Sequence, residues 1–339
     1  MSKWYKKTGA DGDIAVASKI RLARNIDGTP FPCKMTNEQR KSVCKKIFAA
    51  VQNSKLAGEF ALTEINSLKD YEKIALYEKG IISARLAKQE QYGAVMMTKD
   101  EDISIMLCEE DHIRLTARAA GLKLKALYGK IDAVDNVIID SVKIAFDKKY
   151  GFLTSNPIHL GTGLKASVLL HLPAINSQNM IASLSSMVSK LGFSIKEAFG
   201  GNGDLFELSN EISLGITEEN ALDNLEAITR QIIRQEKLLR ERAVSPDDFD
   251  DRLYRAVGTL KMARKLSAKE LCSLLSVIRL GISQGAFDDN EAVSCQLINE
   301  LLYTLGTASV MADAGEQLTA DEADKLRAGY IREKLAQQE

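Results

Sequence analysis

Apolar residues alternate with other residues along several short segments in the first 216 residues of the chain. Ile14, Val16, Ile20 and Leu22 follow the period of a strand that has one buried face. Two further apolar segments flank residues 99–102, which predicts a hairpin at that point. The alternation as a whole predicts strands over residues 14–22, 95–97, 103–107, 165–172 and 206–214.

Helical stretches are predicted between these strands, over residues 37–51 and 68–78. After residue 216 the pattern is helical almost throughout. Leu225, Ile228 and Ile232, for example, fall three and four positions apart, as on the apolar stripe of an amphipathic helix.

Two helix starts are marked in this later part of the chain. Ser245 precedes Pro246, which favours a capped helix beginning there, and residues 267–270 fit a capping box. The change of pattern predicts a domain of mixed helices and strands over residues 1–240, followed by a helical domain over residues 241–339.

Composition and charge limit the classes of function. The chain has 45 Lys and Arg residues against 46 Asp and Glu residues, a formal net charge of -1. No global field therefore holds nucleic acid or an anionic membrane, so any phosphate binding has to be local. The five cysteines form no CxxC pair, which excludes a zinc knuckle of the usual spacing, and no metal-ligating residues are predicted. Without a signal segment or a spanning apolar stretch, the sequence predicts a cytoplasmic protein.

The first stretch with candidate chemistry is residues 18–24. On a strand, Lys19 and Arg21 project from one face while Ile20 and Leu22 project from the other. Two neighbouring cations repel each other unless an anion lies between them. A solvated strand face is the alternative, and this segment by itself favours it.

The second stretch is residues 109–114, in which three carboxylates precede His112 and Arg114. A carboxylate at a strand end can orient a guanidinium or accept its proton, and an arginine can pair with phosphate. The alternative is the acidic N-terminus of a helix. The segment by itself leaves both interpretations open.

The third stretch contains Gly161, Gly163 and Ala166, which formally match a dinucleotide-binding fingerprint. That fingerprint needs a helix start after the glycines, whereas the residues that follow here alternate like a strand. A glycine-rich turn that leads into a strand carrying Lys165 remains compatible with backbone N–H groups that cradle phosphate.

The fourth stretch is residues 196–204, with glycines at positions 200, 201 and 203. Such a segment is typical of a mobile loop over an active site. A long connection without any role in catalysis is the alternative.

Taken in this order, the segments resemble the phosphagen (ATP:guanido) kinase family, and within it the bacterial protein-arginine kinases. The resemblance begins at Trp4, covers nearly the whole chain and includes a helical C-terminal region that animal phosphagen kinases lack. It implies an α+β fold: a large, mainly antiparallel sheet flanked by helices, followed by an all-α domain. The stretches that carry it are residues 13–25, 109–114, 160–173, 208–210 and 251–255.

The resemblance also implies roles for individual residues, with ATP and Mg²⁺ as cofactors. Glu110 matches the carboxylate that contacts the substrate guanidinium. The second catalytic glutamate of the family aligns with Gly201, and Asp204 is the nearby carboxylate that is expected to replace it. The expected nucleotide-binding residues are Ser18, Lys19, Arg21, Arg85, Arg114, Lys165, Ala166, Ser167, Lys196 and Gly200.

Some of these positions depart from the family pattern. Lys19, Lys165 and Lys196 stand where similar proteins carry arginine, and Arg85 replaces a histidine. Lysine keeps the charge but lacks the rigid two-pronged donor of arginine.

In the helical domain, residues 323–328 resemble a phosphoarginine-binding motif with one cation missing. Asp324 and Arg327 are the residues expected to bind phosphoarginine. A plain charged helix face is the alternative.

The resemblance implies that arginine-bearing proteins are the substrates, with an activator protein and a Clp-type protease as partners. A catalytically impaired pseudokinase that acts as a scaffold is the main alternative. A kinase for free arginine or another small guanidine is less favoured, because the chain lacks the separate N-terminal helical domain of those enzymes. A homodimer is expected from an apolar series that is large for a small helical domain: Leu274, Leu275, Ile278, Leu297, Leu301 and Leu302.

Overall fold

The structure is a computed structural model that describes residues 2–241, 246–286 and 293–336. Its ten strands are β1 (Ala15–Arg24), β2 (Phe60–Glu64), β3 (Ala94–Thr98), β4 (Ile103–Leu107), β5 (Ile113–Ala120), β6 (Phe146–Asp147), β7 (Gly151–Phe152), β8 (Leu164–His171), β9 (Phe193–Glu197) and β10 (Leu205–Asn210). Its helices are α1 (Asn37–Gln52), α2 (Asp70–Glu78), α3 (Ala84–Ala87), α4 (Leu124–Ser141), α5 (Pro173–Ser177), α6 (Ile181–Lys190), α7 (Glu218–Arg240), α8 (Pro246–Met262), α9 (Ala268–Ser283), α10 (Cys295–Thr304), α11 (Thr307–Ala314) and α12 (Ala320–Ala336).

Eight of the strands form one sheet in the order β2-β3-β4-β5-β1-β8-β10-β9, with antiparallel pairing throughout. The short strands β6 and β7 form a separate pair. β1 lies near the centre, where Lys19 is opposite Arg118 on one side and Ser167 on the other. The fold class expected from the sequence is confirmed: a large antiparallel sheet with flanking helices, followed by a helical region.

One face of the sheet is apolar and packs against helices α1, α4, α6 and α7. Because side chains alternate between the faces of a strand, every second residue of β1, β5, β8 and β10 enters this core. Ile20, Leu115, Val168 and Leu208 are among these residues, and all four are fully buried.

A second core joins the helical region to the opposite side of the molecule. Helices α8, α9, α10 and α12 contribute most of it, and Trp4, Leu169 and Leu205 contribute from the N-terminus and the sheet. Helix α11 also packs against α2. The helical region therefore shares its interior with the sheet, and the division into domains 1–240 and 241–339 stays a prediction.

The predicted elements are confirmed in type, with differences at their ends. The strand predicted over residues 206–214 ends at Asn210. The Asn210 side chain accepts a hydrogen bond from the Ala166 N–H and donates one to the Leu164 carbonyl across the sheet. The hydroxyl of Ser267 accepts a hydrogen bond from the Glu270 N–H, so Ser267 caps α9. The cap predicted at Ser245 lies outside the described residues. No helix within the described residues is long and apolar enough to cross a membrane.

A buried polar cluster links the end of β8 to the helical region. His171 Nε2 lies 2.8 Å from Ser276 Oγ on α9, and Arg240 Nη2 on α7 donates to the His171 carbonyl at 3.0 Å. Burial, together with the nearby cations Arg240 and Arg279, holds the pKa of His171 well below its ordinary value of about 6.5.

This cluster makes stability depend on pH. Below about pH 6.5 the unfolded chain takes up a proton on His171 and the folded chain does not. The free energy of unfolding therefore decreases as the pH falls. Between pH 7 and pH 5, the free energy of unfolding should fall more steeply in the wild type than in His171→Asn, by up to about 1.4 kcal/mol per pH unit. Urea unfolding at pH 7, 6 and 5 measures both slopes, and the other titrating groups are common to the two proteins. Parallel slopes would contradict the assignment to His171.

Candidate functional site

The polar face of the sheet carries cations from three adjacent strands. Lys19 and Arg21 project from β1, and the register places Arg21 opposite Lys165 of β8. Arg114 of β5 pairs in register with Ala23, one step further along the same face. The structure thus brings together four of the cations that were predicted from separate segments.

The acidic stretch 109–111 forms the turn between β4 and β5, and no helix starts there. Glu109 is buried and accepts hydrogen bonds from Arg114 Nη1 at 2.5 Å and from Ser83 Oγ at 2.7 Å. Asp111 is fully buried and accepts from the Asn25 amide at 2.7 Å. These two carboxylates therefore stabilise the turn.

Glu110 is the accessible carboxylate of this turn, with 19% of its side chain exposed. It accepts a hydrogen bond from Arg114 Nη2 and a longer one, at 3.4 Å, from Arg85 Nη1. Arg85 lies on α3, and 56% of its side chain is exposed. Glu110 is therefore a carboxylate at the rim of the cationic face that already contacts guanidinium groups.

Arg21 is partly buried near the centre of the cationic face. Its Nη2 is 3.3 Å from His159 Nε2, and its Nε has no hydrogen-bond partner among the described residues. Burial and the neighbouring charge of Arg114 lower the pKa of Arg21 to about 10, so it stays protonated at neutral pH. Burial and the Arg21 charge also lower the pKa of His159, which favours a neutral ring beside Arg21. The centre of the face thus holds positive charge that an anion would stabilise.

Two of the three predicted lysines are paired with carboxylates on β10 and just after it. Lys19 lies 2.5 Å from Glu207, and Lys165 lies 2.9 Å from Glu211. Glu207 also accepts a hydrogen bond from the predicted residue Ser167 at 2.6 Å. Lys196 is exposed on β9, opposite Glu207 in register. The ammonium groups of Lys19 and Lys165 can each exchange a single carboxylate contact for a phosphate oxygen.

Two predicted nucleotide-binding residues face the other way. Ser18 is buried on the opposite side of β1, where its hydroxyl donates to the Gly121 carbonyl at 2.7 Å and accepts from the Lys123 N–H. Ala166 is part of the apolar core. The structure does not bring these two side chains to the cationic face.

The glycine-rich loop lies against helix α9. Gly200 and Gly201 have φ values of +68° and +77°, which residues other than glycine rarely adopt. A Cβ at Gly201 would lie 2.5 Å from Glu197 Oε2, so the Glu197 carboxylate occupies the space next to this position. A Cβ at Gly203 would lie 2.7 Å from the carbonyl oxygen of Cys272 on α9. The loop is therefore packed closely between β9 and the helical region.

Asp204, predicted as the loop carboxylate, lies beyond these glycines. Its two oxygens accept hydrogen bonds from the Asn176 amide and the Ser276 hydroxyl, each at 2.7 Å. The neighbouring Leu205 pairs with His171, which is six residues and roughly 20 Å along β8 from Lys165. The structure does not bring Asp204 next to Glu110.

In the helical region, the two residues predicted to bind phosphoarginine contact each other. Arg327 is fully buried, and its Nη1 donates to Asp324 Oδ1 at 2.6 Å and to the Leu266 carbonyl at 2.7 Å. Its Nε and Nη2 donate to the Leu305 carbonyl and the Thr307 hydroxyl. All the nitrogens of the Arg327 guanidinium are thus occupied within the chain.

Sequence reasoning missed several polar side chains of this face. Glu207 and Glu211 escaped notice although Glu207, Ser209 and Glu211 follow the two-residue period of one strand face. That period was the signal that could have found them. His159 carried no comparable signal, because it lies outside the strands and only the fold brings it to Arg21. Arg118 follows the same two-residue period as Arg114 and Thr116, and that signal was missed.

Comparisons with known proteins agree with this geometry. The sequence profile described as "ATP:guanido phosphotransferase, C-terminal catalytic domain" matches residues 42–239. The profile described as "Protein-arginine kinase McsB C-terminal domain" matches residues 246–339.

Curated relatives match over almost the full chain. A protein-arginine kinase of Brevibacillus brevis is 36% identical over 342 residues, which is 98% of this chain and 95% of the relative. A protein-arginine kinase of Clostridium novyi is 35% identical over 350 residues, 99% of this chain and 98% of the relative.

Solved structures support the fold. The duplicated taurocyamine kinase of Schistosoma mansoni, with bound transition-state analogue components, aligns with a TM-score of 0.63 and 22% identity over 80% of this chain and 41% of that chain. A lombricine kinase aligns with a TM-score of 0.58 and 20% identity over 72% of each chain.

Proposed function

The chain belongs to the ATP:guanido phosphotransferase family, and we infer from its protein-arginine kinase relatives that it transfers the γ-phosphoryl group of ATP to arginine side chains of proteins. The observation that carries this inference is the Glu110 carboxylate at the rim of a cationic sheet face. Transfer to a guanidinium needs these two features side by side, a carboxylate for the acceptor and cations for the phosphates.

We propose that Glu110 holds the substrate guanidinium. A carboxylate accepts paired N–H bonds from the planar group and orients one nitrogen for in-line attack on the γ-phosphorus. It also draws off the proton that this nitrogen loses. The contacts of Glu110 with Arg85 and Arg114 support the proposal, because both partners are guanidinium groups.

The phosphates are proposed to lie between Arg21 and Arg114, with the ammonium groups of Lys19, Lys165 and Lys196 around them. Arg21 has no carboxylate within ion-pair distance among the described residues, and its Nε is unpaired. Positive charge in a partly buried site stabilises the charge that develops on the transferred group.

Mg²⁺ fits this site chemically when it arrives with the nucleotide. The described residues contain no group of three or more side chains that could hold a metal ion by themselves. Mg²⁺ usually keeps several waters and binds through substrate phosphates with one or two carboxylates. Glu207 and Glu211, which border the cations, are the carboxylates that would complete its coordination. The ion would neutralise phosphate charge during transfer.

Further partners are proposed from the family. We propose that the protein acts in the cytoplasm, together with an activator protein and a Clp-type protease, and that it binds neither nucleic acid nor membrane directly. The balanced charge of the chain supports the last point. Asp324 and Arg327 stay predicted phosphoarginine-binding residues, and a ligand would have to replace their mutual ion pair.

Removing either central arginine should weaken nucleotide binding. Each loses charged contacts to phosphate of about 1.5–3 kcal/mol, so Arg21→Ala and Arg114→Ala should raise the Kd for ATP at least about tenfold. Calorimetry measures this, with Arg230→Ala as a matched control, because Arg230 pairs only with Glu226 on the surface of α7. An unchanged affinity for ATP in both variants would contradict the proposed phosphate site.

Glu110→Gln separates binding from catalysis. The amide keeps the shape but cannot take the proton, so phosphorylation of an arginine-rich protein should fall at least about a hundredfold while ATP affinity stays within about twofold. Labelled ATP and detection of an acid-labile, alkali-resistant phosphoryl group measure the transfer. Asp204→Asn is the comparison: the contacts of Asp204 predict lost stability with retained transfer. A wild-type protein that binds ATP without any transfer would favour the pseudokinase instead.

We also propose a homodimer formed through the helical region, on a surface that differs from the one expected. Leu275, Ile278, Leu297, Leu301 and Leu302 are buried in the second core, and Leu274 packs against it, so this series is used within the chain. Among the described residues of the region, the large apolar side chains that are exposed are Tyr254 and Met262 on α8 and Leu326 on α12.

Light scattering of the full chain at micromolar concentration tests this assembly. The wild type should have the mass of a dimer, and Met262→Asp should shift it toward the monomer, because Met262 is 71% exposed and its substitution leaves the core intact. A monomeric mass for the wild type would refute the proposal.

A further inference from the structure

A group of exposed apolar side chains lies on two loops beside the cationic face. Ile158 belongs to the short helical turn before β8, and Ile212 and Leu214 follow the end of β10. These three residues are 61%, 50% and 48% exposed. Leu191, directly after α6, is exposed as well. We call these four residues the apolar strip.

Contacts between the loops make the apolar strip continuous. The buried Ser213 lies between Ile212 and Leu214 in the chain, and its hydroxyl donates to the Ile158 carbonyl at 2.8 Å. Gly192, the residue after Leu191, lies directly against the Ile212 side chain. Single exposed apolar residues are ordinary, whereas a contiguous group of them marks a surface that another molecule covers.

One end of the apolar strip is attached to the turn that carries the acceptor carboxylate. The Ser155 N–H donates to Asp111 Oδ1 at 2.7 Å, and Asp111 is the residue after Glu110. Ile158 follows Ser155 by three residues, within the same short segment. The strip therefore begins next to the group that is proposed to hold the substrate guanidinium.

The apolar strip also borders the cations. His159, next to Ile158, lies 3.3 Å from Arg21 through its Nε2 atom. Glu211, next to Ile212, pairs with Lys165 at 2.9 Å. Both loops of the strip are thus anchored at the edge of the cationic face.

Backbone packing fixes the two loops relative to each other. Gly161 lies directly against the backbone of Ser213 and Leu214, and its φ of +99° favours glycine at this position. The Thr162 N–H donates to the Ser213 carbonyl at 3.0 Å. A surface that is fixed in this way loses little conformational entropy when a ligand covers it.

The position of the apolar strip indicates which ligand covers it. A protein arginine bound at Glu110 brings its neighbours in the chain with it, and five extended residues reach about 17 Å. Ile158 is three residues from the contact with the acidic turn, so a flanking segment can reach it. Apolar side chains in that segment would remove the strip from water, whereas polar ones would not.

We propose that the apolar strip binds apolar residues that flank the target arginine in the substrate protein, and that Ile158 and Leu214 are its specificity-determining residues. The proposal rests on the proposed function, because it takes the substrate guanidinium to lie at Glu110. Free arginine has no flanking residues and gains nothing from this surface.

The test compares two fluorescent peptides of equal length and charge. Each has one central arginine, flanked on both sides by leucines in one peptide and by serines in the other. Fluorescence anisotropy should give a Kd for the wild type that is at least about tenfold lower for the leucine peptide, because its side chains bury apolar area on the strip. Binding is measured without turnover, so the result does not depend on phosphoryl transfer.

Two substitutions locate this preference on the apolar strip. Ile158→Ser and Leu214→Ser change exposed side chains and leave the core intact. Each should weaken binding of the leucine peptide about fivefold, and in the double variant the two peptides should bind within about twofold of each other. Leu238→Ser is the control, because Leu238 is also exposed but lies about 30 Å along α7 from the loop that carries Leu214. It should keep the full preference.

A third peptide tests whether the apolar strip and the acceptor carboxylate act on the same ligand. Glutamine in place of arginine in the leucine peptide removes the guanidinium, and the wild type should bind it about tenfold more weakly. Equal affinity for the arginine and glutamine peptides would separate the strip from the acceptor site and overturn the proposal.

Two further results would also overturn it. They are equal binding of the leucine and serine peptides by the wild type, and a preference that survives in the double variant. A double variant with a smaller mass than the wild type by light scattering would assign the strip to contacts between copies of this chain instead. Absence of phosphoryl transfer from labelled ATP to either peptide would contradict the proposed function, and it is distinct from these binding results.

Discussion

The antiparallel register of β1 between β5 and β8 is the constraint on which the rest of the site depends. It aligns Arg21 with Thr116 and Lys165, and Lys19 with Arg118 and Ser167, on a single face. A slip of β1 by one residue would turn Lys19 and Arg21 toward the opposite face. The apolar face prevents this slip, because Ile20 and Leu22 are buried under the flanking helices and would be exposed by it.

Charge on the polar face is balanced unevenly, and the proposed phosphate site lies where cations lack carboxylate partners. Lys19 and Lys165 each have a carboxylate, and Arg114 has three within ion-pair distance. Arg21 and Arg118 have none among the described residues, and each retains unpaired N–H groups. A lysine ammonium changes partners easily, whereas a buried guanidinium has fixed directions. Arg21 is therefore the fixed point of the proposed phosphate site, and the lysines can adapt around it.

The helical region contacts both the glycine-rich loop and the sheet. Its α9 contacts the glycine-rich loop at Gly203 and holds Asp204 through Ser276, and its α10 places Tyr303 over the sheet. Any movement of the loop over the active site has to break or shift these contacts. The shared core thus gives the helical region a direct physical connection to the sheet that carries the proposed nucleotide site.

The sequence by itself determined the strands, the helices and the central chemistry. Alternation and three-to-four spacing depend only on neighbouring residues, so they identified β1, β8 and α1 correctly. The acidic turn and the β1 cations were recognisable as motifs, because Glu110, Arg21 and Arg114 lie within short, specific stretches.

Only the tertiary structure decided which side chains are available for that chemistry. Asp204 and Arg327 are charged in the sequence, yet both are occupied by partners from other elements. The leucine series of α9 and α10 is interior and does not form a free surface. Arg118 shares the two-residue period of Arg114 and Thr116, yet only the fold shows that it is buried beside Gly80 and Ser104. Burial and pairing are properties of distant contacts, and no local pattern encodes them.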